Sequence, residues 1–137
     1  MAYSAADVDG KAFRCLVADD SAFARKNISL VLEKLGGSVV GEATNGLEAV
    51  ELYRRLLPDL VLLDITMPLQ DGVETLRRIM EQDKNATVIV VSSIGHKEMI
   101  WKTLKLGAAN FVTKPFSADY AALIIRDALA KKAGGAI

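Results

Sequence analysis

Four short apolar runs in the chain each end in a side chain that can do chemistry. Leu16-Val17-Ala18 runs into Asp19 and Asp20, Leu60-Val61-Leu62-Leu63 into Asp64, Val88-Ile89-Val90-Val91 into Ser92, and Phe111-Val112-Thr113 into Lys114. If these runs are parallel strands of one sheet, all four tips emerge along a single edge, where ligands sit in open α/β sheets. Three carboxylates, a hydroxyl and an ammonium in one crevice point to phosphate and divalent-cation chemistry.

Holding Asp19, Asp20 and Asp64 together is unfavourable, because two unit charges about 4 Å apart repel by about 4 kcal/mol at an effective dielectric near 20. Lys114 offsets part of that, and a hard cation does so better. Mg²⁺ takes one or two carboxylates, keeps several waters and shares its shell with phosphate oxygens. With cation and ammonium neutralising the equatorial oxygens, a carboxylate can attack a phosphoryl donor in line and become an aspartyl phosphate. Charge alone does not single out the nucleophile. Asp64 is the preferred assignment, since it stands singly on a central strand while Asp19 and Asp20 are adjacent and better suited to hold the ion. Ser92 then donates to one phosphoryl oxygen and Lys114 pairs with another. Pro115 biases Lys114 towards an extended backbone.

What must position these tips is an alternation of short β-branched runs with longer segments of helical period, the pattern of βαβ units and a parallel sheet. Strands are expected near 14–18, 38–43, 60–63, 87–92 and 110–113. The first helix, 22–35, carries Ile28, Val31, Leu32 and Leu35 on one stripe and stops at Gly36-Gly37. The second, 46–57, is expected to bury Leu47, Val50, Leu52 and Leu56 and ends at Pro58; the third, 72–81, turns Val73, Leu76, Ile79 and Met80 inward. The fourth spans 98–106 before Gly107. The fifth, 118–132, follows Ser117 as N-cap and turns Leu123, Ile124 and Leu129 inward. The strands at Leu60 and Val88 lack alternation, as expected when helices cover both faces. Asn45-Gly46 reads as a turn and helix start, because it lacks the glycine repetition of phosphate-cradling loops. His96 reads as a cap or solvent-facing residue, and Met99 and Trp101 as packing residues.

At 137 residues there is room for one sizeable core. The expected organisation is a leader at residues 1–11, one α/β domain over 12–133 and a tail at 134–137. With 17 Lys plus Arg against 17 Asp plus Glu, no global field holds the chain on nucleic acid or an acidic membrane. No apolar stretch approaches the roughly 20 residues of a membrane helix. Met1 to Lys11 has no hydrophobic stretch of signal-peptide type, so a cytoplasmic monomer without membrane or nucleic-acid partners is expected. The single Cys15 lies in an apolar run and reads as a buried small hydrophobe; one Cys and one His cannot build a zinc site.

Taken together, Asp19-Asp20-Ser21, Asp64-Ile65-Thr66-Met67-Pro68 with Asp71-Gly72, Ser92-Ser93, and Gly107-Ala108 leading to Phe111-Val112-Thr113-Lys114-Pro115-Phe116 resemble a response-regulator receiver domain of the stand-alone chemotaxis type. The likeness runs from about Phe13 to Lys132. It implies a flavodoxin-like (βα)5 fold, a doubly wound five-stranded parallel sheet of order 2-1-3-4-5. It also implies that Asp64 is the phosphoacceptor, that Asp19, Asp20, Asp64 and the backbone carbonyl of Thr66 organise Mg²⁺, and that a histidine kinase is the phosphodonor. Ser92 and Phe111 become a switch pair. The face of helix four, strand five and helix five, displaying Lys97, Trp101, Lys105, Phe111 and Tyr120, becomes the docking surface for a protein target, and a phosphatase is a further expected partner. Phe111 stands where tyrosine is common in the family, and Thr66 and Ile94 lie near the route of a hydrolytic water.

Three other functions bear comparison with a phosphorylation-dependent signalling receiver of a chemotaxis or motility pathway. One is a phosphorelay intermediate or phosphate sink. Another is a Mg²⁺-dependent phosphohydrolase working through an aspartyl phosphate, but such enzymes resemble Asp-x-Asp and here Thr66 holds the second place. A flavin-binding protein of the same fold is disfavoured by three acidic side chains that repel a flavin phosphate. Only 23 residues follow Lys114, too few for an attached DNA-binding domain. Output is therefore expected through binding another protein or through passing the phosphoryl group onward, with no catalysis beyond the chain's own phosphorylation and dephosphorylation.

Overall fold

The computed structural model describes residues 12–67 and 71–133; the expected leader 1–11, the tail 134–137 and Pro68 lie outside the described residues. Elements alternate as β1 (Phe13–Ala18), α1 (Ala22–Lys34), β2 (Gly37–Ala43), α2 (Gly46–Leu56), β3 (Leu60–Leu63), α3 (Gly72–Gln82), β4 (Val88–Ser92), α4 (Lys97–Lys105), β5 (Asn110–Thr113) and α5 (Ala118–Ala133). The five strands form one parallel sheet in the order β2-β1-β3-β4-β5, as the sequence resemblance implied. Expected and observed elements differ only by a residue or so at their ends.

The side-chain period of a strand sends alternate residues to opposite faces, so one sheet separates two cores. Val17, Leu62, Ile89 and Val91 pack with α1 and α5 residues such as Leu32 and Ile125. Leu16, Val61, Leu63, Val88 and Val90 pack on the other face with Ala49, Tyr53, Leu76 and Ile79. Strands β3 and β4 are buried at every position, which explains their unbroken apolar sequence. The winding reverses between β1 and β3, and this switch point fixes the site. Ala18 is in register with Leu63, and the Asp64 amide donates to the Ala18 carbonyl at 2.9 Å, so Asp19 and Asp64 leave adjacent strands side by side. Ser92 is in register with Thr113, and the Lys114 amide donates to the Ser92 carbonyl at 2.9 Å.

The α1 stripe of Ile28, Val31, Leu32 and Leu35 is buried as the spacing predicts, and Gly36, at φ 88°, turns the chain out of the helix. Helix α2 departs from expectation. Its buried line is Gly46, Ala49 and Tyr53, while Leu47 is 52% exposed and Val50 and Leu52 flank the contact. The Tyr53 hydroxyl reaches Asp83 at 2.7 Å, and this aromatic centres the contact face in place of the leucines. In α5 small residues carry the buried stripe with Ile125 and Leu129, namely Ala121, Ala122 and Ala128, which allows close approach; Leu123 lies off that stripe and is exposed. In α4 the inward residues are Met99, Ile100 and Thr103, which leaves Trp101 on the solvent side, 66% exposed with the Lys105 ammonium 6.0 Å from its ring centroid. The packing or partial packing that helical position alone suggested for Trp101 thus gives way to the surface placement that the resemblance implied. The caps follow expectation: Asn45 accepts from the Glu48 amide, Ser117 from the Tyr120 amide, and His96 opens α4 exposed, its side chain making no capping bond. Cys15 is fully buried, and burial, aided by the Asp59 charge, pushes its thiol up to about 12.

Candidate functional site

Strand ends do the gathering. One carboxylate oxygen from each of Asp19, Asp20 and Asp64 lies within 4.8 Å of the other two, with Asp19 and Asp64 buried and Asp20 exposed. The Lys114 ammonium reaches over from the end of β5, donating to Asp19 Oδ2 at 2.7 Å and to Asp64 Oδ2 at 3.3 Å. Burial alone pushes Lys114 down. The Asp19 hydrogen bond and the charges of Asp64 and Asp19 outweigh it, and the net shift is upwards, so the ammonium stays charged. Three carboxylates against one ammonium leave the cluster with net negative charge.

The Asp64 carboxylate is oriented by its own loop. Its Oδ1 accepts from the Thr66 amide at 2.9 Å and from the Thr66 hydroxyl at 2.7 Å, an aspartate turn closed two residues on. Among the described residues Oδ2 takes only the longer lysine contact. The loop in turn rests on the start of α3, where a Cβ at Gly72 would come 2.0 Å from the Ile65 Cα and the Gly72 amide donates to the Ile65 carbonyl at 3.0 Å. Asp71 caps α3 through the Glu74 amide. Asp19 is fixed from the other side, its Oδ1 accepting from the Ser21 amide at 2.9 Å and its own amide donating to the Ala43 carbonyl at 2.9 Å. The α1 N-cap is Ser21, so Asp19 serves the loop and not the helix.

Ser92 is fully buried at the tip of β4, and its hydroxyl oxygen accepts from the Ile94 amide at 3.1 Å, leaving its proton available to another acceptor. Phe111, expected on the displayed face, is buried in the core beneath α4 at 7% exposure; a phenyl ring gives up no hydroxyl hydration on entering that core. Lys97, Trp101, Lys105 and Tyr120 are exposed as expected. The peptide joining Lys114 to Pro115 is cis. A cavity of about 670 Å³ opens beside Asp19, Asp64 and Lys114, walled by Phe23, Leu30 and Phe116.

Every site residue expected from sequence therefore lies at or next to one sheet edge, with Phe111 inside. Two contacts at the site lie outside the sequence expectations, the Thr66 hydroxyl on Asp64 and the Arg25 guanidinium on the Asp19 carbonyl. The Thr66 hydroxyl on Asp64 had a local signal, because Asp side chains often bond the backbone two residues on. Arg25, whose guanidinium holds the Asp19 carbonyl at 2.8 Å, had none, since helical spacing does not tell which exposed position folds back over a loop.

The fold is a doubly wound parallel sheet with an acidic triad at its switch point and a lysine reaching over from the edge strand, and the response regulator receiver domain model matches residues 15–126. The chain belongs to the response regulator receiver family, and within it to the CheY-like type. It is 47% identical over 103 residues to the chemotaxis protein CheY of Thermotoga maritima, covering 75% of this chain and 86% of that protein. It is 45% identical over 108 residues to the chemotaxis protein CheY of Bacillus subtilis, covering 79% and 90%. Among solved structures it resembles a chain of the CheX-CheY-BeF3-Mg²⁺ complex from Borrelia burgdorferi, with TM-score 0.82, 36% identity and coverage of 84% and 87%. Among the described residues no helix is long and apolar enough to cross a membrane.

Proposed function

We propose that this receiver is a chemotaxis or motility switch in which Asp64 takes a phosphoryl group from a histidine kinase and the resulting aspartyl phosphate changes the chain's affinity for a protein target. The observation that carries the reading is the placement of Lys114 between two buried carboxylates, Asp19 and Asp64, at the mouth of the sheet. The donor set is all oxygen, close-set and net negative, which suits a hard divalent cation; Asp19, Asp20, Asp64 and the Thr66 carbonyl are the residues that would hold Mg²⁺. When bound, the cation offsets negative charge on the carboxylates and on the incoming phosphoryl oxygens.

The chain's own groups do the rest. Asp64 Oδ2, the less engaged oxygen, attacks phosphorus; the new O–P bond forms as the N–P bond of the phosphohistidine breaks, and the bonding pair returns to the imidazole nitrogen. Lys114 shifts from Asp64 to a phosphoryl oxygen, and the Ser92 hydroxyl turns to donate to another. That pull draws the turn after β4 towards the phosphate, and α4 and the buried Phe111 ring transmit it to the surface of Lys97, Trp101, Lys105 and Tyr120. The module over 12–133 acts in the cytoplasm as a switch; its kinase and its target, and a phosphatase if it has one, are protein partners, and the Borrelia relative's complex with CheX supports such contacts.

The test is incubation with acetyl phosphate and Mg²⁺, followed by intact mass and Trp101 fluorescence. One phosphoryl group added to wild type, none to Asp64→Asn and none after chelation of Mg²⁺ is the expected result. An adduct that persists in Asp64→Asn overturns the assignment. Ser92→Ala should keep Mg²⁺ binding but lose the fluorescence response.

A further inference from the structure

We propose that Arg25 is the positioning residue of the cation site, aiming the Asp20 carboxylate by holding the peptide between Asp19 and Asp20. The inference rests on the reading of Asp19, Asp20 and Asp64 as the Mg²⁺-holding cluster. Arg25 lies one turn into α1, and its side chain is only 16% exposed. Its Nη1 donates to the Asp19 carbonyl at 2.8 Å while its Nε donates to Glu42 Oε1 at 2.8 Å. Glu42 belongs to β2, in register with Val17 of β1, and the next residue, Ala43, accepts from the Asp19 amide. The turn that carries both acids is thus clamped on β2 at two points, once by backbone and once through a guanidinium braced on Glu42.

That clamp matters most for Asp20. Asp19 has its own restraints in the Ser21 amide and Lys114, and Asp64 has Thr66 and Lys114. Among the described residues no group donates a hydrogen bond to the Asp20 carboxylate, so its direction is set by the peptide it stands on. The Asp19 carbonyl is one end of that peptide. A carbonyl released from the guanidinium can rotate, and the exposed carboxylate that follows it swings with it.

Two physical effects of Arg25 on a dication oppose each other, and the sign of the result separates them. Its positive charge lies near the acids and repels Mg²⁺, so if charge were its only effect, removal would tighten binding. If it positions Asp20, removal weakens binding, because the site must then order a free side chain on loading. A lysine keeps the charge but lacks the forked donors that reach both partners.

The experiment is calorimetric Mg²⁺ titration of the whole chain, with urea melts of the metal-free proteins to separate folding from binding. Arg25→Met is expected to raise the Mg²⁺ Kd roughly tenfold, the loss of about one charge-assisted hydrogen bond. Arg25→Lys should recover only part of that, and Glu42→Ala, at a half-exposed brace, should raise Kd by roughly threefold while leaving the fold intact. In metal-free protein the Asp20 amide order parameter should fall in Arg25→Met and stay unchanged in the distant variant Leu123→Ala. Wild-type binding with equal or tighter binding by both Arg25→Met and Glu42→Ala overturns the proposal alone. A wild type that takes up no Mg²⁺ overturns the reading of the cluster, and the proposal with it.

Discussion

Replacing Lys114 by methionine, similar in length but uncharged, probes the electrostatics of the site directly. At an effective dielectric near 20, its contacts at 2.7 Å to Asp19 and 3.3 Å to Asp64 correspond to gross attractions of about 6 and about 5 kcal/mol. Carboxylate oxygens within 4.8 Å of one another repel by at least about 3.5 kcal/mol per pair on the same scale. The ammonium therefore roughly balances the repulsion, and Lys114→Met exposes it. Breaking a buried ion pair leaves an uncompensated charge, so a destabilisation of about 3–4 kcal/mol at pH 7 is expected. Added Mg²⁺ should restore most of that loss, and the variant should gain more from the ion than wild type does. Urea unfolding of both proteins at pH 7, with and without Mg²⁺, measures both effects. A loss that is indifferent to Mg²⁺ would refute the charge-balance argument and make Lys114 a packing residue.

Three other substitutions read different layers of the structure. Tyr53→Phe removes the 2.7 Å bond that, as the largest cause, holds the Asp83 carboxyl below its ordinary value of 3.8. A depressed carboxylate adds stability that is present above 3.8 and lost as pH falls through the folded value. The variant should therefore lose about 1.5 kcal/mol at pH 7 in urea melts, and less as the solution is acidified below that range. Leu57, at φ 46°, caps α2 in the left-handed region that costs a residue with a Cβ about 1–2 kcal/mol; Leu57→Gly should raise Tm by a few degrees, with a net gain of about 0.5–1 kcal/mol after glycine's extra chain entropy. Gly72→Ala forces a methyl onto the Ile65 backbone beneath the Asp64 loop; it should cost about 3 kcal/mol and slow phosphorylation by acetyl phosphate in the fraction that folds.

The legible part of the molecule is what period and punctuation encode. Strands β3 and β4 announced themselves as unbroken apolar runs, α1 by its stripe and its Gly36 stop, and Asn45 and Ser117 by the helix starts they cap. The tips Asp19, Asp64, Ser92 and Lys114 were legible for the same reason, because a strand end in a parallel sheet fixes an edge. The less legible part is competition between residues for one face. Tyr53 took the centre of α2 from Leu47, alanines took the stripe of α5 from Leu123, and Trp101 faces solvent because Ile100 and Thr103 face inward. Phe111 lies in the core because it packs with Val90 of β4 and with Met99 and Ile100 of α4, contacts that no local pattern specifies. Arg25 and the strain at Leu57 depend on contacts made across the fold, and no local pattern carries them. Strand order came from the family resemblance, and the register that sets Asp64 beside Asp19 confirms why that order builds the site.

The central claim, that the tips of separate strands turn the Asp64 side chain into a transient acyl phosphate, is tested most directly by trapping. The chain is exposed to acetyl phosphate and Mg²⁺, reduced with borohydride, which converts an acyl phosphate of aspartate to homoserine, and mapped by peptide mass spectrometry. Homoserine at position 64 alone, appearing only with Mg²⁺, is the predicted outcome. Homoserine at 19 or 20, or none anywhere in wild-type protein that binds the ion, would contradict it.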